Sequence, residues 1–198
     1  MRPKMNNSNA PFALKPAEIK KLIFACNTLR ERIIIKLMAY SGLRREEVAN
    51  LKIEKIDWER NRISFIGKNR LHGTVPVSPD LMQDIQFYLT GRVEGPVFPS
   101  RKNGKKNPIC LVQVNRIVSE VGKRAKIENP NPKSKTKHVT PHLLRHSFAR
   151  MAKDAGLTVE SVQKLLRHRS YVTTMDLYGT MSFEDVQEKY EEKFLQMI

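Results

Sequence analysis

The eight residues from Ile33 to Tyr40, IIIKLMAY, constrain the fold of this chain more than any others. A helix over 31–41 has almost no polar face, and a helix that is apolar all round must be buried rather than laid on a surface. The run is too short to cross a bilayer, which takes ~20 apolar residues, and it carries Lys36. The chain must therefore build its core around this segment.

The rest of the chain supplies the cover. A length of 198 residues suits one core and one domain. From Lys15 the spacing is helical: Pro16 suits a first turn, and Ile19, Leu22, Ile23, Cys26 and Leu29 make one stripe. Gly42 is placed to cap the 31–41 helix, and a short helix follows over 45–51 with Val48 and Leu51 inward. The period then changes. Ile53 and Ile56 lead into NRISFIGK, a turn at NRLHG and TVPVS, which read as a β-hairpin. Helix returns over 79–91, opened by Ser78-Pro79-Asp80. VFPSRKNGKKNP reads as a surface turn, 109–126 as helix and IENPNPKSKTKHVTP as an exposed basic loop. Helices follow over 141–155, over 159–167 with Thr158 as N-cap, over 172–178 after a turn at 168–171, and over 182–197. The expected fold is α+β, mainly α-helical, with a small antiparallel sheet of two or three strands on one side. Residues 1–11 read as a flexible arm.

The charge is large and uneven. Net charge is +16, yet residues 101–170 hold 17 Lys/Arg against 4 Asp/Glu, while 171–198 hold 2 against 6. A basic middle with an acidic tail points to a polyanion partner, the tail being kept off that face. No signal peptide or membrane span is read. Cys26 and Cys110 match no zinc spacing and read as buried thiols of a reducing cytoplasm.

The stretch from Thr140 to Tyr178 turns charge into chemistry. It places His142, Arg145, His168 and Tyr178 within forty residues, and Arg44 of SGLRREE and Lys68 of IGK lie upstream. A phosphodiester gains negative charge as a nucleophile adds, so its cleavage calls for fixed cations at the non-bridging oxygens. Arginine suits this because its planar fork holds two oxygens and keeps its proton. His142 and Arg145 are three residues apart on one expected helix and share a face.

Taken together, GLRREE, IGK, HLLR, LLRH and the following LYG resemble the catalytic domain of the tyrosine recombinase (phage integrase) family over 12–182. The resemblance implies that Arg44 and Arg145 clamp the scissile phosphate. It implies that His142 accepts a proton or bonds the phosphate, that His168 bonds the phosphate, and that Lys68 protonates the leaving 5′ oxygen. Tyr178 would attack phosphorus to give a 3′-phosphotyrosyl bond, ahead of Tyr171, which lies too near His168. Glu47 is either a supporting carboxylate or a capping residue. The family's GKGxKxR run stands here as GKNRLHG, so Arg70 and His72 compete with Lys68. Where relatives read LLGH this chain has Arg167, which implies a less strained cap or another cation on DNA. Arg70, His72, Lys133, Lys135, Lys137, Arg167 and Arg169 are the DNA-contact candidates.

The implied activity is a site-specific recombinase or integrase acting on double-stranded DNA, as a tetramer, without metal, ATP or other cofactor. Topoisomerase-like relaxation uses the same chemistry, and a DNA-binding regulator with little catalysis is the non-enzymatic alternative. The expected place of action is the cytoplasm, at the nucleoid. No separate amino-terminal clamp domain is read, and the 183–198 helix packs either in trans on a neighbour or back on its own domain.

Overall fold

The computed structural model describes residues 12–66, 72–100 and 107–167. Its elements are α1 (Pro16–Phe24), α2 (Leu29–Ser41), α3 (Arg45–Ala49), a 3₁₀ turn (Ile53–Lys55), β1 (Ile56–Asp57), β2 (Arg62–Ile66), β3 (His72–Pro76), α4 (Pro79–Leu89), α5 (Leu111–Arg124), α6 (Pro141–Asp154) and α7 (Val159–Leu166). The fold is mainly helical, with one antiparallel sheet ordered β1-β2-β3.

Helix α2 is the axis of the core, as its composition requires. Helices α1, α3, α4, α5 and α6 all pack on it. Ile33, Ile34, Ile35, Leu37, Met38 and Ala39 are fully buried, each such large side chain being worth about 1.5–3 kcal/mol. Lys36 is accommodated because α4 brings two carboxylates to it: its Nζ lies 2.7 Å from Asp80 and 2.6 Å from Asp84. Ser147 of α6 ties the amino-terminal segment to the same core, accepting from the Leu14 N–H at 2.9 Å and donating to the Leu143 carbonyl at 2.8 Å.

The sheet follows the alternation in the sequence. Ile63, Phe65 and Val75 face inward, while Ser64 and Thr74 share a 3.0 Å hydroxyl bond on the outer face. Strand β3 begins at His72 rather than after it, with His72 opposite Ile66 and Gly73 opposite Phe65.

Several boundaries differ from the sequence reading. The first apolar stripe is split between two helices. α1 stops at Phe24, because the Asn27 N–H goes to the Glu31 carboxylate at 2.8 Å and Thr28 caps α2 through the Glu31 N–H at 3.2 Å. The turn expected over VFPSRKNGKKNP starts inside the core, since Val97 and Phe98 are fully buried and bond Leu51 and Ile109 through the backbone. Cys110 is exposed at the start of α5 and not buried. Cys26 is half-buried, and burial foremost, then Glu31, pushes its thiol up to about 11. The 1–11 arm, the turn at 168–171 and the helices expected at 172–178 and 182–197 lie outside the described residues. Among the described residues no helix is long and apolar enough to cross a membrane.

Gly42 ends α2 as expected, in the left-handed region at φ 61°. A Cβ there would sit 2.5 Å from the Phe148 ring and 3.1 Å from Leu166. Gly42→Ala combines backbone strain with overpacking and is expected to cost about 2–4 kcal/mol. A urea-denaturation midpoint within error of the wild type would contradict this account.

Candidate functional site

The ends of four helices meet at one place. The carboxyl end of α2 passes through Gly42 and fully buried Leu43 to Arg44, which stands at the N-cap of α3. Glu47, one turn on, accepts the Arg44 backbone N–H at 2.7 Å and the Arg44 guanidinium at 2.9 Å. Capping and supporting are thus the same act: the carboxylate closes the helix start and fixes the cation. It is nearly inaccessible, with its side chain 2% exposed.

Helix α6 delivers the second cation. Thr140 caps it by accepting from the Leu143 N–H at 3.1 Å, and Pro141 fills the first turn. His142 falls in that turn and Arg145 in the next. The Arg145 guanidinium donates to the Gly42 carbonyl at the end of α2 and to the Leu166 carbonyl at the end of α7. The Arg44 guanidinium reaches the same Leu166 carbonyl at 3.4 Å. Two arginines separated by 101 positions in the sequence therefore converge on one backbone oxygen. Carbonyls at helix carboxyl ends carry the negative end of the dipole, which suits cations.

Burial foremost, then the charges of Arg44 and Arg167, pulls Arg145 down to about 9, with Glu47 opposing. The site thus holds more positive charge than its surroundings compensate, and an anion bound there would relieve the excess. His142 is exposed, with Nε2 2.5 Å from Nε2 of His146 one turn on and ring centroids 4.1 Å apart. Desolvation, then Arg145, holds its imidazole below the ordinary histidine value. Near neutral pH it is therefore mostly the free base, able to accept a proton.

Arg44, His142 and Arg145 line a cleft of about 760 Å³ together with Arg45, Asn115, Ser119, Thr136 and His138. The last five were missed in the sequence. Asn115 and Ser119 lie one turn apart on α5, and spacing on an amphipathic helix was the available signal. Lys133, Lys135 and Lys137 are exposed on the 127–140 loop, whose Thr136 and His138 form the cleft wall. His72 is exposed at the start of β3. Arg167 turns inward, onto Glu47 at 2.6 Å, and not outward as a surface cation would. Lys68, Arg70, His168, Arg169 and Tyr178 lie outside the described residues.

Comparisons with known proteins extend this picture. The sequence pattern of the Phage integrase family matches residues 13–184. Tyrosine recombinase XerA of Pyrococcus furiosus is 33% identical over 186 residues, covering 91% of this chain and 61% of that protein. Tyrosine recombinase XerC of Xylella fastidiosa is 30% identical over 166 residues, covering 82% and 52%. The chain thus spans roughly half to two thirds of the length of these relatives. Among solved structures, that of XerA recombinase superposes with a TM-score of 0.73 at 25% identity, over 92% of this chain and 65% of that one. XerH site-specific recombinase, solved bound to its difH substrate, shares the fold with a TM-score of 0.74 at 20% identity, over 91% and 53%.

Two outcomes are expected from the site's charges. A tetrahedral dianion should raise the melting temperature of the wild type above that in sodium chloride of equal ionic strength. At a sulfate concentration 100 times its Kd the gain is about 2.7 kcal/mol. Arg44→Gln should shrink this gain, and an equal gain in the variant would place the anion elsewhere. Because the His142 imidazole is held low, its contribution to stability is present above the unfolded value of ~6.5 and is lost as pH falls through the folded value. The urea midpoint of His142→Gln should therefore fall less than that of the wild type between pH 7.5 and pH 5.

Proposed function

This chain belongs to the phage integrase family, and from that premise we propose that it is a site-specific DNA recombinase or integrase. It cleaves and rejoins double-stranded DNA through a 3′-phosphotyrosyl intermediate. The observation that carries the reading is the convergence of the Arg44 and Arg145 guanidiniums on the Leu166 carbonyl, at the edge of a cleft that also holds His142.

The residues take the following parts. Arg44, whose side chain is 33% exposed, and Arg145, braced from behind by Gly42 and Leu166, hold the non-bridging oxygens of the scissile phosphate. Their charge is fixed before the reaction, so none of the site's dipoles has to reorganise as the phosphorane gains negative charge. Tyr178 attacks phosphorus through its phenolic oxygen, forming the O–P bond while the bond from phosphorus to the 5′ oxygen breaks. His142, as the free base, takes the phenol's proton. Lys68 supplies a proton to the departing 5′ oxygen, with Arg70 and His72 as its rivals on the hairpin, and His168 bonds the phosphate. The phosphotyrosyl ester retains the energy of the broken bond, so a 5′ hydroxyl can reverse the step without ATP. Lys133, Lys135 and Lys137 contact DNA phosphates beside the cleft, and Arg169 follows His168 as a further basic contact. A tetramer on paired sites is the assembly that strand exchange requires.

The test is covalent trapping. Wild type and Tyr178→Phe are incubated in EDTA with a pooled library of nicked duplexes, denatured, and the adducts isolated and sequenced. An adduct in the wild type, absent from Tyr178→Phe and lowered about 10²–10³-fold in Arg145→Lys, is the expected result. Failure of the wild type to form any adduct, despite tight and salt-sensitive DNA binding, would favour a DNA-binding regulator. Exchange of flanking sequence between captured duplexes separates recombination from relaxation.

A further inference from the structure

The C-cap of α7 is held by an arginine in a conformation that suits glycine. Arg167 has φ 55° and ψ 42°, the left-handed region, where a Cβ is unfavourable. Its side chain is only 16% exposed. Strain of this kind persists when the surroundings over-determine it, and here they do so on three sides. The Arg167 guanidinium pairs with Glu47 at 2.6 Å. It lies over the ring of Phe65 in β2, 4.4 Å from the centroid. Its aliphatic stem packs so closely on Gly73 of β3 that a Cβ there would come within 2.7 Å of the Arg167 Cδ. Phe65 and Gly73 are register partners, so one side chain grips both strands of the hairpin at a single rung.

We infer that Arg167 is a positioning residue that latches the β2–β3 hairpin to the arginine clamp. This rests on the recombinase reading above for its catalytic consequence, though not for the latch itself. The argument is one of connectivity and charge. Glu47 holds the Arg44 guanidinium on one oxygen and, on the other, both the Arg44 backbone N–H and the Arg167 guanidinium. Through Arg167 the rigid start of α3 is joined to the strands that lead into and out of residues 67–71, where Lys68 lies in the sequence. Arg167 also immediately precedes His168, so the same residue sets where the chain leaves α7. Electrostatically, the three guanidiniums of Arg44, Arg145 and Arg167 against the Glu47 carboxylate make a linked group with a net charge of +2. Without Arg167 the net would be +1, and Glu47 would offset the cation that faces the phosphate. Burial foremost pulls Arg167 down to about 10, so its charge is still present at neutral pH. The Gly73 position is part of the device, because any larger residue in β3 would push the stem off the sheet.

Arg167→Gly and Arg167→Lys decide the matter, read by hydrogen exchange and by adduct kinetics on the duplexes captured with the wild type. Glycine suits the backbone and keeps the cap, so folding is not the expected loss. The expected result for Arg167→Gly is exchange at least 10-fold faster for the amides of β2 and β3, with α2 and α6 unchanged. The adduct rate at saturating DNA should fall by at least 10-fold, while the half-saturating DNA concentration moves less than 3-fold. Arg167→Lys, which keeps the charge, should recover part of the rate. Unchanged hairpin exchange in Arg167→Gly overturns the latch, and so does an unchanged saturating rate where the wild type forms adducts. If the wild type forms none, the recombinase reading fails on its own, and hairpin exchange still decides whether the latch exists.

Discussion

The carboxylate of Glu47 is the group on which the arrangement of the site depends. Arg44, Arg145 and Arg167 lie close enough for their charges to act on one another, and like charges at such range would force the elements carrying them apart. A carboxylate buried among them changes the balance. It accepts from the Arg44 backbone, the Arg44 guanidinium and the Arg167 guanidinium, and so closes α3, orients one cation and anchors another. Removing one partner of such a buried set leaves an uncompensated charge, which is why these contacts act as a unit.

The remaining positive charge is held by backbone. The carbonyls of Gly42 and Leu166 lie at the carboxyl ends of α2 and α7, where helices leave acceptors unfilled. Arg145 fills both. Helix ends that would otherwise need solvent are satisfied by the site, and the site's most buried cation is satisfied by helix ends. The close approach demands a residue without Cβ at position 42, where Phe148 and Leu166 leave no room for one.

Beneath the site lies α2, and its near-total burial explains why the geometry can be rigid. Among the described residues five other helices pack on it. Its carboxyl end therefore arrives at a fixed place and orientation, and with it Gly42 and Arg44. Lys36, a charge inside this packing, is held by Asp80 and Asp84 of α4, and Arg30, buried on the same helix, donates to the Pro99 carbonyl.

Local sequence alone was enough to read the buried axis, the hairpin, the caps at Gly42 and Thr158, and the helical character of the rest, because these are set by residues a few positions apart. The order of charged and nucleophilic residues carried the family. Two helices were read here, but where the first gives way to the second was not legible, since the apolar stripe runs through the break and only the side-chain capture of the Asn27 and Glu31 amides interrupts the helix. Nor were the burial of Val97 and Phe98 or the exposure of Cys110, which depend on what packs against a loop. The site divides in the same way. Residue types and their order nominated Arg44, Glu47, His142 and Arg145. That Arg167 faces Glu47 from 120 positions away, and that Arg44 and Arg145 share the Leu166 carbonyl, was decided only by the tertiary structure. Local chemistry selects helix, strand and cap, whereas pairing between distant charges depends on how those elements dock around a common core.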